Sequence, residues 1–182
     1  SENLRRSNVI EMIEGLDCVI DGLDNMSTRY ILNEACVKLN IPYIYGGAIG
    51  LEGNVSVFNP PNTPCLRCVY PNINDRDLPT CDTRGVIGAT VGVIGNIQAL
   101  EAIKMISGIK GTLEGKLLFA DLRTMDFVST DLKINPNCSV CNDNSDSALT
   151  HEENLTWFCG GDTVNVNPVS KLDLNLIIIG DK

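Results

Sequence analysis

Cys18, Val19 and Ile20 form an unbroken apolar run between Asp17 and Asp21, the pattern of a short parallel strand buried on both faces. Glu11 to Asp24 therefore reads as the tail of a helix followed by that strand. From Ser27 to Asn40, Ile31, Leu32, Ala35, Cys36 and Leu39 recur at helical spacing. Asn40 and Pro42 end that helix with a left-handed cap and a breaker. Ile41 to Ile49 reads as a second buried strand. Glu52 to Asn59 alternates Val55 and Val57 with Asn54, Ser56 and Phe58 across the Gly50-Leu51-Glu52-Gly53 turn, which predicts an antiparallel hairpin. A polar loop, Pro71 to Arg84, leads to a long helix from about Val86 to Ile106, with Val93, Ile97, Leu100 and Ile103 on one side. Glycines 88, 92 and 95 would let another backbone approach its first turns. Lys116 to Asp121 and Asp126 to Ile134 read as two more strands around Arg123-Thr124-Met125. Strands alternating with helices predict an α/β fold with a mixed sheet over residues 1–142. Polar residues 143–154 read as a linker, and residues 155–182, with apolar bursts at Val164 to Val166 and Leu172 to Ile179, as the start of a small β-rich appendage.

Charge and length narrow the function classes. The chain has 182 residues and a formal net charge of −9, so a phosphate backbone would be repelled by most of its surface, which argues against nucleic acid as its main partner. The longest apolar run, Val86 to Ile97, is interrupted by three glycines and soon followed by Glu101 and Lys104, too short a run to cross a bilayer. The expectation is a soluble, cytoplasmic protein without nucleic-acid or membrane partners, its thiols reduced.

Eight cysteines fall into distinct classes. Cys65-Leu-Arg-Cys68 and Cys138-Ser-Val-Cys141 are two Cys-x-x-Cys knuckles flanked by Pro64, Asn135, Pro136 and Asn137. Four thiolates in two turns suit a tetrahedral structural zinc, and their long separation fits a clip within a larger domain rather than a compact zinc ribbon. Disulfides are the competing reading. Cys81 lies in the polar loop between Arg76 and Arg84, ahead of the long helix, where cations and a helix N-terminus favour a nucleophilic thiolate; the alternative is an incidental loop cysteine. Cys18, Cys36 and Cys159 sit in apolar patterns and read as core or inert, and His151, in the linker, as non-catalytic. At the end of the first strand, Asp21-Gly-Leu-Asp-Asn25 occupies the place where doubly wound sheets bind ligands. Asp24 can hold magnesium there, Asn25 faces a nucleotide, and Arg29, one turn on, adds a cation. The plainer alternative is that Asp24, Asn25 and Ser27 only cap the helix.

These residues carry a resemblance. The order Asp21-Gly-Leu-Asp-Asn25, Arg29, Asn33-Glu-Ala-Cys36, Gly46-Gly47, Gly53-Asn54-Val55, Cys65-Leu-Arg-Cys68, Cys81, Gly85-Val-Ile-Gly88 and Gln98-Ala-Leu-Glu101 resembles the ubiquitin-activating superfamily, in particular its MoeB and ThiF adenylyltransferases, over about Asp17 to Cys141. The resemblance implies that the C-terminal glycine of a ubiquitin-like sulfur carrier attacks the α-phosphate of Mg-ATP to give an acyl-adenylate, to which sulfur is then delivered in thiamine, molybdopterin or tRNA-thiolation pathways. It implies Asp24 on magnesium and phosphates, Asn25 on the nucleotide, the four knuckle cysteines on zinc, Cys81 as the cysteine that in some members links to the carrier, and a homodimer. The family's glycine-rich first turn and phosphate-gripping basic residues belong ahead of the strand at Cys18 and are not among these residues. The expectation is thus the C-terminal portion of a Rossmann-like adenylation domain, inactive by itself. The rival is a non-catalytic, zinc-stabilised module that holds a carrier protein; a nicotinamide-dependent oxidoreductase would fit the α/β pattern but finds no fingerprint here.

Overall fold

A computed structural model describes residues 3–75 and 85–142. The elements run α1 (Val9–Ile13), β1 (Val19–Ile20), α2 (Met26–Leu39), β2 (Tyr43–Ile49), β3 (Glu52–Phe58), α3 (Leu66–Val69), α4 (Gly88–Ile106), β4 (Lys116–Asp121) and β5 (Asp126–Asp131). Five strands form one sheet in the order β1-β2-β3-β4-β5. Among the described strands β1 and β2 are parallel and the other pairs antiparallel, so the sheet is mixed as expected. The hairpin is present, with Gly47 opposite Asn54 and Ile49 opposite Glu52, and Gly50 adopts the positive φ of 57° that its turn requires. The loop carrying Cys81, the expected linker and appendage, His151 and Cys159 lie outside the described residues.

Alternation along β2 divides the core between two helices. Tyr43 and Tyr45 face α2 and join Ile31, Leu32, Ala35 and Phe58, whereas Ile44 faces α4 with Val57 and Ala102. With both faces covered, β2 is buried from Tyr43 to Gly46, and its apolar run follows from that. β1 is less buried than its apolar run predicts. Among the described residues it pairs with β2, Val19 is half-buried and Ile20 is 46% exposed.

Helix α4 buries Thr90, Ile94, Gln98, Glu101 and Ala102. Of the apolar residues expected on one side, Val93 and Ile97 are half-buried, Ile97 against Val55, Ile94 and Ala120. Leu100 and Ile103 are 54% and 56% exposed. The polar residues face inward because they satisfy backbone groups. Thr90 Oγ1 donates to Gly50 O at 3.0 Å, Gln98 Nε2 donates to Asp21 O at 2.8 Å and Ile44 O at 3.1 Å, and Glu101 Oε2 accepts from Leu113 N at 2.6 Å. Among the described residues a Cβ on Gly88, Gly92 or Gly95 would meet nothing within 4 Å; close approach is seen at sheet glycines, since a Cβ on Gly46 would meet the Gln98 side chain at 2.3 Å and one on Gly53 would meet Ile94 at 2.4 Å. By length and composition α4 could cross a membrane, yet these inward hydrogen bonds make it a layer of the sheet's core.

Candidate functional site

Two constellations lie at opposite ends of α2. The first is the turn from Asp21 to Asn25. As β1 ends, the buried Asp21 carboxylate organises the backbone that follows: Oδ1 accepts from Leu23 N at 2.8 Å, and Oδ2 accepts from Arg29 Nε and from the Tyr43 hydroxyl, both at 2.8 Å. Arg29 lies beneath the turn, where its NH2 donates to Leu23 O at 2.6 Å and Gly46 O at 2.8 Å, and its guanidinium sits 5.2 Å from the centre of the Tyr45 ring. Burial lifts the Asp21 carboxyl above the usual range, against the opposing pull of Arg29. Burial also works against the Arg29 charge, but Asp21, Tyr45 and Tyr43 outweigh it and the guanidinium stays protonated. Tyr43 is pushed well above the ordinary phenol, first by burial and then by Asp21.

The N-terminal amides of α2 are already occupied. Asn25 is the N-cap, its Oδ1 accepting from Thr28 N at 2.8 Å. The Asp75 carboxylate, nearly fifty residues on, accepts from Met26 N at 2.5 Å, Ser27 N at 3.0 Å and Ser27 Oγ at 2.7 Å. A helix end whose donors are bare attracts phosphate, but this one is filled by the chain's own oxygens. What the turn offers outward is the exposed Asp24 carboxylate, whose Oδ1 accepts from Asn25 Nδ2 at 3.0 Å, an arrangement suited to a cation. The three residues thus take different places: Asn25 caps, Ser27 binds Asp75, and Asp24 is exposed.

The second constellation is the cysteine clip. Cys65 is the N-cap of α3 and Cys68 lies within it, while Cys138 and Cys141 follow β5 in a turn shaped by Asn135, whose Oδ1 accepts from Asn137 N at 2.9 Å and whose carbonyl accepts from Cys138 N at 3.0 Å. All four sulfurs lie within 4.8 Å of one another. Individual pairs stand at 4.0 Å (Cys65 and Cys68), 3.7 Å (Cys65 and Cys138) and 3.2 Å (Cys68 and Cys141). A tetrahedral zinc with ligands at about 2.3 Å sets its sulfurs roughly 3.8 Å apart, whereas a disulfide needs about 2.05 Å, so the donor set fits zinc and the thiols are not bridged. The sulfurs share their protons unevenly. Hydrogen bonds from Cys65 and Cys68 draw the Cys138 thiol far below its ordinary value, while burial, Cys68 and Cys138 push Cys141 up to about 12. A divalent cation among them relieves that crowding of charge.

Two further thiols lie among the described residues. Cys36 is buried and burial pushes it up to about 12; Cys18 is half-buried and raised by burial and by Asp17. Asp21, Asp75 and Gln98 were not singled out as anchors by the sequence. Asp21 was legible only as part of its motif, and Asp75 resembles every other polar residue of its loop.

Comparison with known proteins adds to this geometry. The profile of the ThiF family matches residues 1–140. The adenylyltransferase and sulfurtransferase MOCS3 of Aedes aegypti is 42% identical over 160 residues, covering 86% of this chain and 36% of the relative. Its counterpart in Caenorhabditis briggsae is 40% identical over 161 residues, covering 87% of this chain and 40% of the relative. The chain therefore spans well under half the length of these relatives. Among solved structures, Escherichia coli MccB with ATP superposes with a TM-score of 0.63 at 18% identity, covering 79% of this chain and 45% of that one. MccB with MccA-N7isoASN gives 0.64 at 18% identity over the same shares. At that identity the likeness establishes the fold.

Proposed function

The chain belongs to the ThiF family, and we propose from that premise that it forms part of an adenylyltransferase acting on the C-terminal glycine of a ubiquitin-like sulfur carrier. A carboxylate oxygen of that glycine attacks the α-phosphorus of ATP, the bond to the departing pyrophosphate oxygen breaks, and an acyl-adenylate forms for later sulfur delivery. The observation that carries this reading is the Asp21–Asn25 turn, which ends a parallel strand and sends Asp24 outward from a helix end whose amides are filled. In this reading Asp24 holds magnesium, Asn25 adjoins the nucleotide, and Arg29 serves the site by fixing the turn from below. Magnesium supplies charge neutralisation on the triphosphate as pyrophosphate leaves. The clip holds a structural zinc through Cys65, Cys68, Cys138 and Cys141. Where a covalent carrier intermediate is used, the Cys81 thiolate attacks the acyl carbon and displaces AMP to leave a thioester. The names of the MOCS3 relatives and the ATP complex of the similarly folded MccB support this assignment. The expected setting is a cytoplasmic homodimer.

One observation favours a second reading, a non-catalytic module that holds a carrier. Phe119, Phe127 and Val128 are exposed at the β4–β5 end of the sheet, where a protein partner could lie. Pyrophosphate exchange separates the two. The full-length protein, given ATP, radiolabelled pyrophosphate and a ubiquitin-like carrier ending in glycine, is expected to exchange label into ATP only when the carrier is present. Carrier binding without exchange would replace the first reading by the second.

A further inference from the structure

Residues 65–75 lie along one face of α2 and are attached to it turn by turn. At the clip end, Leu66 N donates to Asn33 Oδ1 at 2.8 Å, and Arg67 NH2 reaches Glu34 Oε1 at 3.4 Å. One turn nearer the N-terminus of α2, the Arg67 guanidinium lies 3.4 Å from the centre of the Tyr30 ring. The Tyr30 hydroxyl donates to Tyr70 O at 2.8 Å and accepts from Ile73 N at 2.9 Å. One turn further, Asp75 accepts from Met26 N, Ser27 N and Ser27 Oγ. The helix positions used, 33 and 34, then 30, then 26 and 27, recur at the spacing of a single helical face. The strap therefore begins between two clip cysteines and ends on the two residues that follow Asn25.

We propose that Asp75 is a positioning residue: through this strap it transmits the order of the cysteine clip to the α2 N-terminus and so to the Asp24–Asn25 turn. The physical case is one of linked order. Without metal the 65–68 knuckle loses its fixed geometry, the strap loses one end, and the Asp75 carboxylate is held less firmly over the α2 amides. Those amides then open to water, and Asn25, whose side chain caps the same first turn, opens with them. A carboxylate at a helix N-terminus is favourable both as acceptor and as charge, so the strap's far end is an attachment of its own and not a passive continuation of the loop. The effect on nucleotide binding rests on the reading of the turn given above; the effect on order does not.

Amide hydrogen exchange on the zinc-loaded protein tests the inference, with and without removal of the metal by a chelator. In the wild type, chelation is expected to speed exchange at Met26, Ser27 and Thr28 by at least about tenfold, the scale of losing roughly 1.4 kcal/mol of local protection. In Asp75→Ala the same amides exchange fast from the outset, and chelation adds less than about twofold, because two perturbations of one connected network are not additive. Tyr30→Phe, which cuts the middle of the strap while leaving Asp75 in place, should weaken the response to chelation without raising the starting exchange as far. This second variant keeps the test decisive if Asp75→Ala folds poorly. In the full-length protein with ATP and carrier, Asp75→Ala should raise KM for Mg-ATP more than it lowers kcat, and Asp75→Glu should recover part of the loss, a split that a general loss of stability would not produce. Chelation that opens the clip but leaves exchange at 26–28 unchanged in the wild type would overturn the coupling. An exchange response as expected without any carrier-dependent ATP chemistry would leave the coupling standing and remove the nucleotide reading instead.

Discussion

Helices α2 and α4 cover opposite faces of the same sheet, and they do so by opposite means. α2 has 14 residues, is capped at both ends by asparagine, and is buried without interruption from Tyr30 to Cys36, because α1, the strap and the sheet surround it. α4 has 19 residues and more apolar side chains, yet it turns Thr90, Gln98 and Glu101 inward and leaves Val91, Leu100, Ile103 and Ile106 exposed. The difference lies in what each helix must satisfy. α2 turns apolar side chains toward the aromatics of β2 and β3, and the polar residues it buries, Asn33 and Glu34, bind Leu66, Arg67 and Arg6 away from the sheet. α4 crosses the sheet where Gln98 supplies the donor to the Asp21 carbonyl and Gln98 and Thr90 add second donors to those of Ile44 and Gly50, and a carbonyl left without one in the interior is costly. Hydrophobic content therefore misidentifies the core side of α4. The two helices nevertheless converge on one residue: Arg29 of α2 binds the Asp21 side chain, and Gln98 of α4 binds the Asp21 carbonyl. The turn carrying Asp24 is clamped from both layers.

The largest effect expected on this contrast comes from the clip, which lies on the α2 side. Cys65→Ser or Cys138→Ser should reduce bound zinc below about a tenth of an equivalent and lower stability by several kcal/mol, since metal binding and folding are linked. Elemental analysis with chemical denaturation checks both; full stability in a metal-free protein would remove the clip from the account. Next in size, Ile31→Ala, in the fully buried face of α2, should cost about 3 kcal/mol. Leu100→Ala on the exposed face of α4 should stay within about 0.5 kcal/mol. Equal losses in urea melts would show that the Leu100 face is covered in solution. The inverted face of α4 makes a less intuitive prediction: Gln98→Ala, a polar residue in an apolar helix, should cost about 1–3 kcal/mol by stripping the Asp21 carbonyl of its donor and the Ile44 carbonyl of one of two, clearly more than Leu100→Ala. The smallest effect is one of pH. Burial holds the folded Cys36 thiol at about 12 against an ordinary value of 9.0, so the folded state keeps a proton that the unfolded chain releases. The associated stability is intact below pH 9 and lost as pH rises toward 12; at pH 10 the loss is about 1 kcal/mol. Cys36→Ala should flatten that part of the pH profile, and an unchanged slope would contradict the assignment.

How far the sequence disclosed this structure depended on where each signal's partners lie. The ends of α2 were legible because capping is local: Asn25 serves Thr28, and Asn40 takes the left-handed conformation at φ 53° with its cue two residues away in Pro42. The clip was legible because Cys-x-x-Cys carries ligand spacing within itself, although the meeting of positions 65 and 138 depends on the fold. The core face of α4 was not legible, since the acceptors that draw in Thr90 and Gln98 are backbone atoms some 40 to 77 residues away. The exposure of Ile20 in β1 was hidden for a related reason: three apolar residues in a row do not say which of them the neighbouring layers cover. Arg29 reads from the sequence as a cation facing phosphate, yet its partners are Asp21, Leu23 O and Gly46 O. Asp75 carried no mark at all, because a carboxylate in a polar loop becomes an anchor only when tertiary structure brings a helix end to it.

The most direct test of the central claim is the rate of carrier-dependent pyrophosphate exchange in the full-length protein, compared across wild type, Asp24→Asn and Cys81→Ala. Asp24→Asn is expected to lower exchange by about 100-fold or more, the scale of losing roughly 3 kcal/mol of transition-state stabilisation. Cys81→Ala should leave exchange within about threefold of wild type, because acyl-adenylate formation requires no thiol; its deficit should appear only in sulfur transfer, where a covalent intermediate is used. Undiminished exchange in Asp24→Asn would contradict the assignment of the Asp21–Asn25 turn as the nucleotide-side site.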